Sequence, residues 1–199
     1  MMFSAAFIFI SEWTDIFMLG TMVTKEEVGI YNAAYKLATI ALIVINALNT
    51  VVAPKISELY GKGDILGIKD YALKATKLIT LLTLPIVLVL ILFNKQLLGL
   101  FGTEFTEGSM VLIIVAVGLF FNAMSGCVGQ IMNMTKHQKE LKNFTVITVL
   151  VNITLNYILI LKLGIIGAAI ASFVSNIILN VLCIIFIKRN FGFYAFFKL

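Results

Sequence analysis

The sequence is poor in charged residues, which make up only 13% of its 199 positions. A soluble domain has about a quarter of its residues charged and nearly half apolar, whereas 61% of this chain is hydrophobic and its mean hydropathy is +1.06. These values exclude an ordinary soluble domain and indicate an integral membrane protein. The net charge of +5 does not point to a nucleic-acid partner. Its basic residues lie between apolar runs, as the positive-inside rule predicts for membrane proteins.

Cysteine and histidine are also scarce, with two residues of the first and one of the second. Cys127 and Cys183 lie in apolar runs without the spacing of metal ligands, so we expect buried, reduced thiols. His137 lies in a charged loop, where a solvated side chain is expected. The sequence has no CxxC, HExxH or phosphate-binding glycine loop, and no apolar run brings together Ser, His and an acid. We therefore expect neither an enzyme nor a site for ATP or a metal cofactor.

Long apolar runs predict an all-α integral membrane protein, a bundle of six transmembrane helices, because about 20 apolar residues cross a bilayer. The predicted spans are residues 1–19, 28–54, 78–93, 110–132, 144–161 and 165–187. Residues 55–77 are polar and predict an amphipathic connection, and residues 188–199 form a basic, aromatic tail suited to the lipid headgroups. Pro85 predicts a kink in the third span.

The basic residues indicate how these helices are oriented. With six spans, eleven of them fall on one side of the membrane, namely Lys55, Lys62, Lys69, Lys74, Lys77, Lys136, Lys139, Lys142, Lys188, Arg189 and Lys198. Lys25, Lys95 and Lys162 fall on the other side. Because loops rich in Lys and Arg stay in the cytoplasm, this bias predicts that both termini are cytoplasmic.

The second predicted span, residues 28–54, carries polar residues along one side although it is apolar enough to cross a bilayer. Asn32, Thr39 and Asn46 recur every seven residues, and Lys36 lies four residues after Asn32. On one continuous helix these side chains share a face. Hydrocarbon cannot satisfy amides or an ammonium group, so this face must turn toward protein or water.

Four other predicted spans also carry a polar face. Its members are Ser4, Ser11, Glu12 and Asp15 in the first span, Asn122 and Ser125 in the fourth, Thr145, Thr148, Asn152 and Asn156 in the fifth, and Ser172, Asn176 and Asn180 in the sixth. These side chains could form hydrogen bonds between packed helices, worth roughly 0.6 kcal/mol each, or could line a shared hydrated cavity. We favour the cavity, because the ionisable groups of the first two spans also need water or partners.

Three ionisable groups lie at similar depth in the first two spans. Glu12 lies eight residues before the end of the first helix and Lys36 lies eight residues after the start of the next, which places both about 12 Å from the ends that meet. Asp15 lies about one turn nearer those ends. We therefore predict that Lys36 pairs with Glu12 or Asp15. The pair could lock two helices together, or it could open when a carboxylate takes up a proton or a sodium ion.

The sixth span begins with the small residues GIIGAAIAS (164–172), in which Gly164, Ala168 and Ser172 recur at steps of four. Such ridges allow helix backbones to approach closely. The pattern predicts close packing of this helix against a neighbour, with a moving interface as the alternative.

Several segments in order along the chain carry a family resemblance: TDIFMLG (14–20), VGIYNAAYKLA (28–38), the run that ends at Pro54, ISELYGKGD (56–64) and GIIGAAIAS (164–172). They resemble the C-terminal half of polysaccharide biosynthesis proteins, the Wzx-type flippases, whose superfamily includes the multidrug and toxin extruders. The resemblance implies two six-helix lobes around a cavity, of which this chain holds one. It also implies that undecaprenyl-pyrophosphate-linked oligosaccharides are flipped across a bacterial plasma membrane by alternating access, driven by an ion gradient.

The resemblance also implies which side chains line the cavity. Asp15, Tyr31, Asn32 and Lys36 match polar positions of the family's seventh and eighth helices, which line it. With the amides and acids of the polar faces, the candidate site residues are Glu12, Asp15, Tyr31, Asn32, Lys36, Asn46, Asn122, Asn152, Asn156 and Asn176. The expected partners are the lipid bilayer, a lipid-linked oligosaccharide and a second six-helix lobe, with proton or sodium coupling and no other cofactor.

Two further functions remain open from the sequence. The chain could be a lobe of a drug or cation antiporter with the same architecture, which a cavity lined by aromatic and acidic groups would favour. It could also be a membrane scaffold or an inactive remnant that transports nothing. A cavity lined by amides and a cation favours the glycan, because sugars are bound through hydrogen bonds.

Overall fold

The chain folds as helices joined by short turns, as the long apolar runs predict. The structure, a computed structural model, describes residues 14–197, and no strand occurs in that range. Residues 14–22 are helical and are called α1. The helices that follow are α2 (Lys25–Ala38), α3 (Ile40–Gly61), α4 (Ile65–Leu92), α5 (Asn94–Gly99), a 3-10 helix (Thr103–Gly108), α6 (Ser109–Ser125), α7 (Val128–Met134), α8 (Gln138–Leu163) and α9 (Ile165–Phe191).

Five helical segments in the described part of the chain are long and apolar enough to cross a membrane. They are Ile40–Gly61, Ile65–Leu92, Thr103–Ser125, Gln138–Leu163 and Ile165–Phe191. The first predicted span, residues 1–19, lies mostly outside the described residues. Large apolar side chains such as Leu81, Leu88 and Leu161 are exposed on these helices, as a protein surrounded by hydrocarbon requires.

The predicted single helix over residues 28–54 is wrong in two respects. Helix α2 ends at Ala38 and α3 begins at Ile40, and the Thr39 hydroxyl between them donates to the Lys36 carbonyl oxygen at 2.7 Å. Such side-chain to backbone bonds compete with the regular helix ladder. Helix α3 also continues beyond Pro54 to Gly61, so the proline costs it a backbone hydrogen bond without ending it. The polar side chains predicted to share one face are therefore divided between two helices.

The polar residues 55–77 form the facing ends of α3 and α4 and are not a separate amphipathic element. The two helices are joined by a turn at residues 62–64, and α4 then runs without interruption through Pro85 to Leu92. Asp64 fixes its start, because the Oδ1 atom of this side chain accepts a hydrogen bond from the Gly67 amide at 2.8 Å.

The predicted span over residues 110–132 is interrupted where α6 ends. Gly126 adopts φ = +68°, a conformation that favours glycine, and a Cβ atom there would overlap the Thr76 side chain of α4. Cys127 follows at the turn, and both cysteines are buried free thiols, as the sequence predicts. The backbone at Gly126, where α6 ends, therefore packs directly against the Thr76 side chain of α4.

Helices α8 and α9 form a hairpin whose turn is a single residue, Gly164, with φ = +57°. Gly167 lies three residues into α9, where a Cβ atom would overlap the backbone carbonyl of Leu159 in α8. The small residues at the start of α9 thus provide the close packing that the sequence predicts.

The tail that follows α9 folds back onto the bundle. The Phe197 amide donates to the Met124 carbonyl oxygen at 2.9 Å, and Phe193 and Ala195 are buried in an apolar cluster. Lys188 lies 3.7 Å from the centre of the Tyr194 ring. The described part of the tail is therefore not confined to a headgroup layer, because part of it belongs to the protein core.

Candidate functional site

A cavity of about 300 Å³ lies between the helices that carry the polar faces. Its lining comprises Asp15 of α1, Tyr35 and Leu42 on either side of the Thr39 interruption, Leu119 and Asn122 of α6, Thr145, Thr148, Val149 and Asn152 of α8, and Ser172, Ser175, Asn176 and Leu179 of α9. Hydroxyls and amides dominate the polar part of this lining. Such groups can both donate and accept hydrogen bonds, so the cavity can bind a hydroxyl-rich ligand.

Asp15 lies at the wall of this cavity and is 3% exposed. One carboxylate oxygen accepts hydrogen bonds from the Tyr31 hydroxyl at 2.9 Å and from the Ser172 hydroxyl, and the other accepts from the Asn156 amide at 2.7 Å. A buried carboxylate needs partners of this kind, because leaving it without them is very costly. The three donors come from α2, α8 and α9, so Asp15 joins α1 to three other helices.

A second layer of hydrogen bonds orients the donors to Asp15. The Asn156 amide also donates to the Asn152 side-chain oxygen at 3.0 Å, and the Asn152 amide donates to the Ser172 hydroxyl at 3.3 Å. Asn152 and Asn156 lie one turn apart on α8, and the Gly164 turn brings Ser172 of α9 beside them. The side-chain oxygen of Asn156 is buried and has no hydrogen-bond partner among the described residues. An acceptor that lacks a donor therefore belongs to the side chain whose amide group donates to Asp15.

The structure brings together six of the ten predicted site residues. The cavity is lined by Asp15, Asn122, Asn152 and Asn176. The other two, Tyr31 and Asn156, donate hydrogen bonds to Asp15 at the cavity wall. Three others do not line it, namely the partly exposed Asn32 and the exposed Lys36 and Asn46. Glu12 lies outside the described residues.

The predicted pairing of Lys36 with Asp15 is wrong. Ion pairs within residues 14–197 are confined to Glu58 with Lys55 and Lys62. Tyr31 occupies the side of α2 that faces Asp15, and Lys36 lies five residues later, about 140° further round the helix axis. Lys36 is exposed and points away from the carboxylate. Pairing of Lys36 with Glu12 falls outside the described residues and stays a prediction.

Sequence reasoning did not include Ser172 and Tyr35 among the site residues. Ser172 donates to Asp15, and the Tyr35 ring stacks on Tyr31 with 6.0 Å between the ring centres. The sequence spacing could have identified both residues, because Ser172 lies four residues before Asn176 and Tyr35 lies four residues after Tyr31. Residues at that spacing share a helix face.

A second space, an open groove of about 340 Å³ at the surface of the bundle, is apolar throughout. It lies between the α2–α3 interruption, α4 and α5, and its lining includes Leu37, Ile40, Pro85, Ile86, Val89 and Leu97. Among the described residues, no group of three or more His, Cys, Asp or Glu side chains is placed to hold a metal ion. The described residues thus include a polar cavity and an apolar groove.

The chain is similar in sequence to several known proteins. The chain is 30% identical over 172 residues to the "Probable low-salt glycan biosynthesis flippase Agl15" of Haloferax volcanii, covering 84% of this chain and 36% of that protein. The "Probable flippase AglR" of the same organism is 25% identical over 86% of this chain and 37% of that protein. The teichuronic acid biosynthesis protein TuaB of Bacillus subtilis is 28% identical over 52% of this chain and 21% of that protein. The chain thus spans little more than a third of the length of the first two relatives.

Solved structures show the same fold. A multidrug resistance MATE family transporter of the MOP superfamily, in an outward-facing conformation, superposes with a TM-score of 0.81 at 19% identity, over 96% of this chain and 44% of that one. A MOP superfamily transporter from Pyrococcus furiosus gives a TM-score of 0.77 at 20% identity, over 98% of this chain and 44% of that one. Residues 1–158 match the MatE family. The predicted family is confirmed: the chain is a multi-pass membrane protein that belongs to the MatE family, a family of transporters and not of enzymes.

Proposed function

We propose that this chain is one lobe of a flippase that moves a lipid-linked oligosaccharide across the plasma membrane by alternating access, for the synthesis of a cell-surface glycan. The observation that carries the proposal is the polar cavity beside Asp15, in which amides and hydroxyls from α6, α8 and α9 face one space. Sugar hydroxyls need donors and acceptors in this mixture. The names of Agl15 and AglR as flippases, the first in glycan biosynthesis, support the same function.

The proposed transporter has a second lobe of six helices that closes the cavity from the other side. This chain covers 44% of each of the two solved transporters, which leaves room for such a lobe in a protein of that size. We place both termini of this chain in the cytoplasm, because the basic residues are concentrated on that side of the predicted topology.

Asp15 is the proposed site of coupling to an ion gradient. It is a buried carboxylate on a membrane helix, and such groups mark ion or proton pathways. The unpartnered side-chain oxygen of Asn156 adds a second oxygen that a proton donor or a sodium ion could use. Uptake of a cation there would weaken the hydrogen bonds from Tyr31, Ser172 and Asn156 to Asp15, which join α1 to three other helices.

A drug or cation antiporter is the second candidate. The buried carboxylate of Asp15 and the neighbouring rings of Tyr31 and Tyr35 favour it, because acidic and aromatic groups bind organic cations. The larger number of amides and hydroxyls in the cavity favours the glycan.

Transport of a labelled substrate tests the proposal. The chain is reconstituted in lipid vesicles, with and without a matching N-terminal lobe, and movement of a fluorescent lipid-linked oligosaccharide is followed under an imposed proton or sodium gradient. We expect movement when both lobes are present and a loss of about tenfold or more with Asp15→Asn, equivalent to about 1.4 kcal/mol. Asp70→Asn is the control, because Asp70 is an exposed acid on α4.

Each outcome of this experiment points to one interpretation. Equal rates of transport by the native protein and the Asp15→Asn variant under every gradient would show that Asp15 does not couple transport to an ion gradient. Gradient-driven accumulation of a cationic dye, with no movement of the sugar lipid, would establish the antiporter. A chain that moves neither substrate and binds no second lobe would be a scaffold or a remnant.

A further inference from the structure

The segment between α4 and α6 has an apolar side that the described residues leave uncovered. This segment, residues 93–108, contains α5 and the 3-10 helix and is called the α4–α6 link. Leu100 is 82% exposed and Phe101 is 55% exposed, although both side chains are large and apolar. Leu98 and Phe105, which lie close by in the same link, pack in the apolar core of the protein. The link therefore has one apolar side in the core and another turned outward.

Hydrogen bonds tie the two ends of the link together. The Ser109 hydroxyl at the start of α6 donates to the side-chain oxygen of Asn94, and the Asn94 amide donates to the Ile91 carbonyl oxygen of α4. Within the link, the rings of Phe101 and Phe105 lie with 6.3 Å between their centres. The outward position of Phe101 is therefore fixed by its contact with a ring that packs against the core.

The length of α4 places the link at the edge of the hydrocarbon. The apolar part of α4 that follows Lys77, residues 78–93, is about 24 Å long at 1.5 Å per residue. The hydrocarbon core of a bilayer is about 30 Å thick. Apolar side chains that come soon after this stretch therefore lie at the depth of the lipid chains or at their boundary with the headgroups.

The surroundings of the link favour lipid as the occupant of its outward side. Leu81, Leu88 and Leu92 are exposed along one face of α4 and lead directly to the link. Among the residues that the structure describes, none from α4 lines the polar cavity, so this row does not face the space that the second lobe is proposed to close. The exposed charged residues of the link are Lys95, Glu104 and Glu107. Exposed apolar and charged side chains on one short segment are typical of an element that lies in the membrane interface.

The link also packs closely against α2, the helix that carries Tyr31. A Cβ atom at Gly108, the last residue of the 3-10 helix, would lie 2.9 Å from the Cγ2 atom of Ile30 and 3.3 Å from the Ile30 carbonyl oxygen. Tyr31 is the next residue of α2, and its hydroxyl donates to Asp15 at 2.9 Å. The link is therefore connected to Asp15 through two adjacent residues of α2.

We propose that the α4–α6 link is a membrane anchor, in which Leu100 and Phe101 insert at the boundary between the acyl chains and the headgroups of phospholipids. Through Gly108 the anchor holds α2 at a fixed depth and so supports the hydrogen bond from Tyr31 to Asp15. On the predicted topology the anchor lies in the outer leaflet, because Lys95 is on the outer side. The inference makes the bilayer itself a partner of the link and does not depend on the substrate that is transported.

Two exposed leucines at opposite ends of α4 provide a matched test of where the link lies. Leu66 is 73% exposed, close to the value for Leu100, but it lies about 18 Å along the helix before the apolar part of α4 begins. Leu100→Cys and Leu66→Cys are each labelled with a fluorophore in lipid nanodiscs, with and without the second lobe, while the native cysteines are buried. Phospholipids that carry a nitroxide near the top of the acyl chain should quench the label at position 100 about threefold more than the label at position 66.

Amide hydrogen exchange tests whether the anchor holds α2. In nanodiscs, Leu100→Ser should increase exchange about threefold or more in peptides that cover residues 25–38, because α2 then opens more often. Leu66→Ser should leave this exchange unchanged. Since Leu100 is 82% exposed, replacing it removes little packing within the protein, and the increase would report the loss of its contact with lipid.

Three results would overturn the anchor. Equal quenching at positions 66 and 100 would show that the link does not reach the lipid chains. Quenching at position 100 that disappears when the second lobe is present would make the link a lobe interface. Unchanged exchange in α2 of the Leu100→Ser protein would refute the hold of the link on this helix, even if the label at position 100 is quenched.

Discussion

Replacing Gly167 with alanine tests the packing that holds the α8–α9 hairpin together. A Cβ atom at Gly167 would overlap the carbonyl oxygen and carbon of Leu159 and would lie 2.8 Å from the Ile160 amide nitrogen. All of these are backbone atoms, so no side chain can rotate to make room. The two helices must separate, although the Gly164 turn between them consists of one residue.

The expected cost follows from two opposing effects. Inserting a methyl group into a packed site costs about 1–3 kcal/mol, and the upper end applies because the overlap is with backbone. Alanine is favoured over glycine within a helix by about 0.5–1 kcal/mol. We therefore expect the free energy of unfolding to fall by about 2 kcal/mol. At about 2–4 °C per kcal/mol for a chain of this size, the midpoint of thermal unfolding should fall by roughly 4–8 °C.

Gly129→Ala is the matched control, because no atom lies within 4 Å of a Cβ placed at that position in α7. Only the gain in helix preference remains there, so the midpoint should stay the same or rise slightly. The measurement is the loss of helical circular dichroism on heating the two variants and the native protein in the same detergent. A Gly167→Ala protein as stable as the Gly129→Ala protein would show that α8 and α9 do not pack as closely as the structure has them.

Two further predictions concern buried hydroxyls and orientation. The buried Thr83 hydroxyl has no hydrogen-bond partner within the described residues, so Thr83→Val should raise the free energy of unfolding by about 1 kcal/mol. Thr80→Val removes hydrogen bonds to the Thr76 and Ala123 carbonyl oxygens, so it should lower the free energy of unfolding by a similar amount. Thermal unfolding of both variants measures this difference, and a change of the same sign in both would contradict it. Cysteines placed at Lys74 or Lys139 should react with a membrane-impermeant maleimide only after the cells are opened, and a cysteine at Lys95 should react in intact cells. The reverse pattern would place the termini outside.

The sequence predicted the helical content and much of the polar cavity, because both depend on local spacing. Asn152 and Asn156 lie four residues apart on α8, so they share a face, and that face turns inward because hydrocarbon cannot satisfy amides. The interruption at Thr39 was not predicted, since Thr50 makes the same hydroxyl-to-carbonyl bond within α3 and the helix there is unbroken. Apolar spans that are broken in this way have the same composition as unbroken ones.

The error over Lys36 has a different physical origin. Counting residues from the helix ends gives depth in the membrane, and two groups at similar depth can still face different directions. The direction in which α2 faces α1 is set by tertiary packing, which places Tyr31 and not Lys36 against Asp15. Donors for a buried carboxylate can come from hydroxyls and amides as well as from cations. The predicted ion pair wrongly assumed that a buried carboxylate must have a cation as its partner.

The one-residue turn at Gly164 also bears on how the bundle can change shape. Asn156 and Ser172, two of the three donors to Asp15, lie on the two arms of the α8–α9 hairpin, which a single residue joins and which pack closely at Gly167. We expect the two arms to move away from Asp15 together, so that both hydrogen bonds are lost in the same movement. Motion of α1 against the hairpin would then be switch-like instead of gradual.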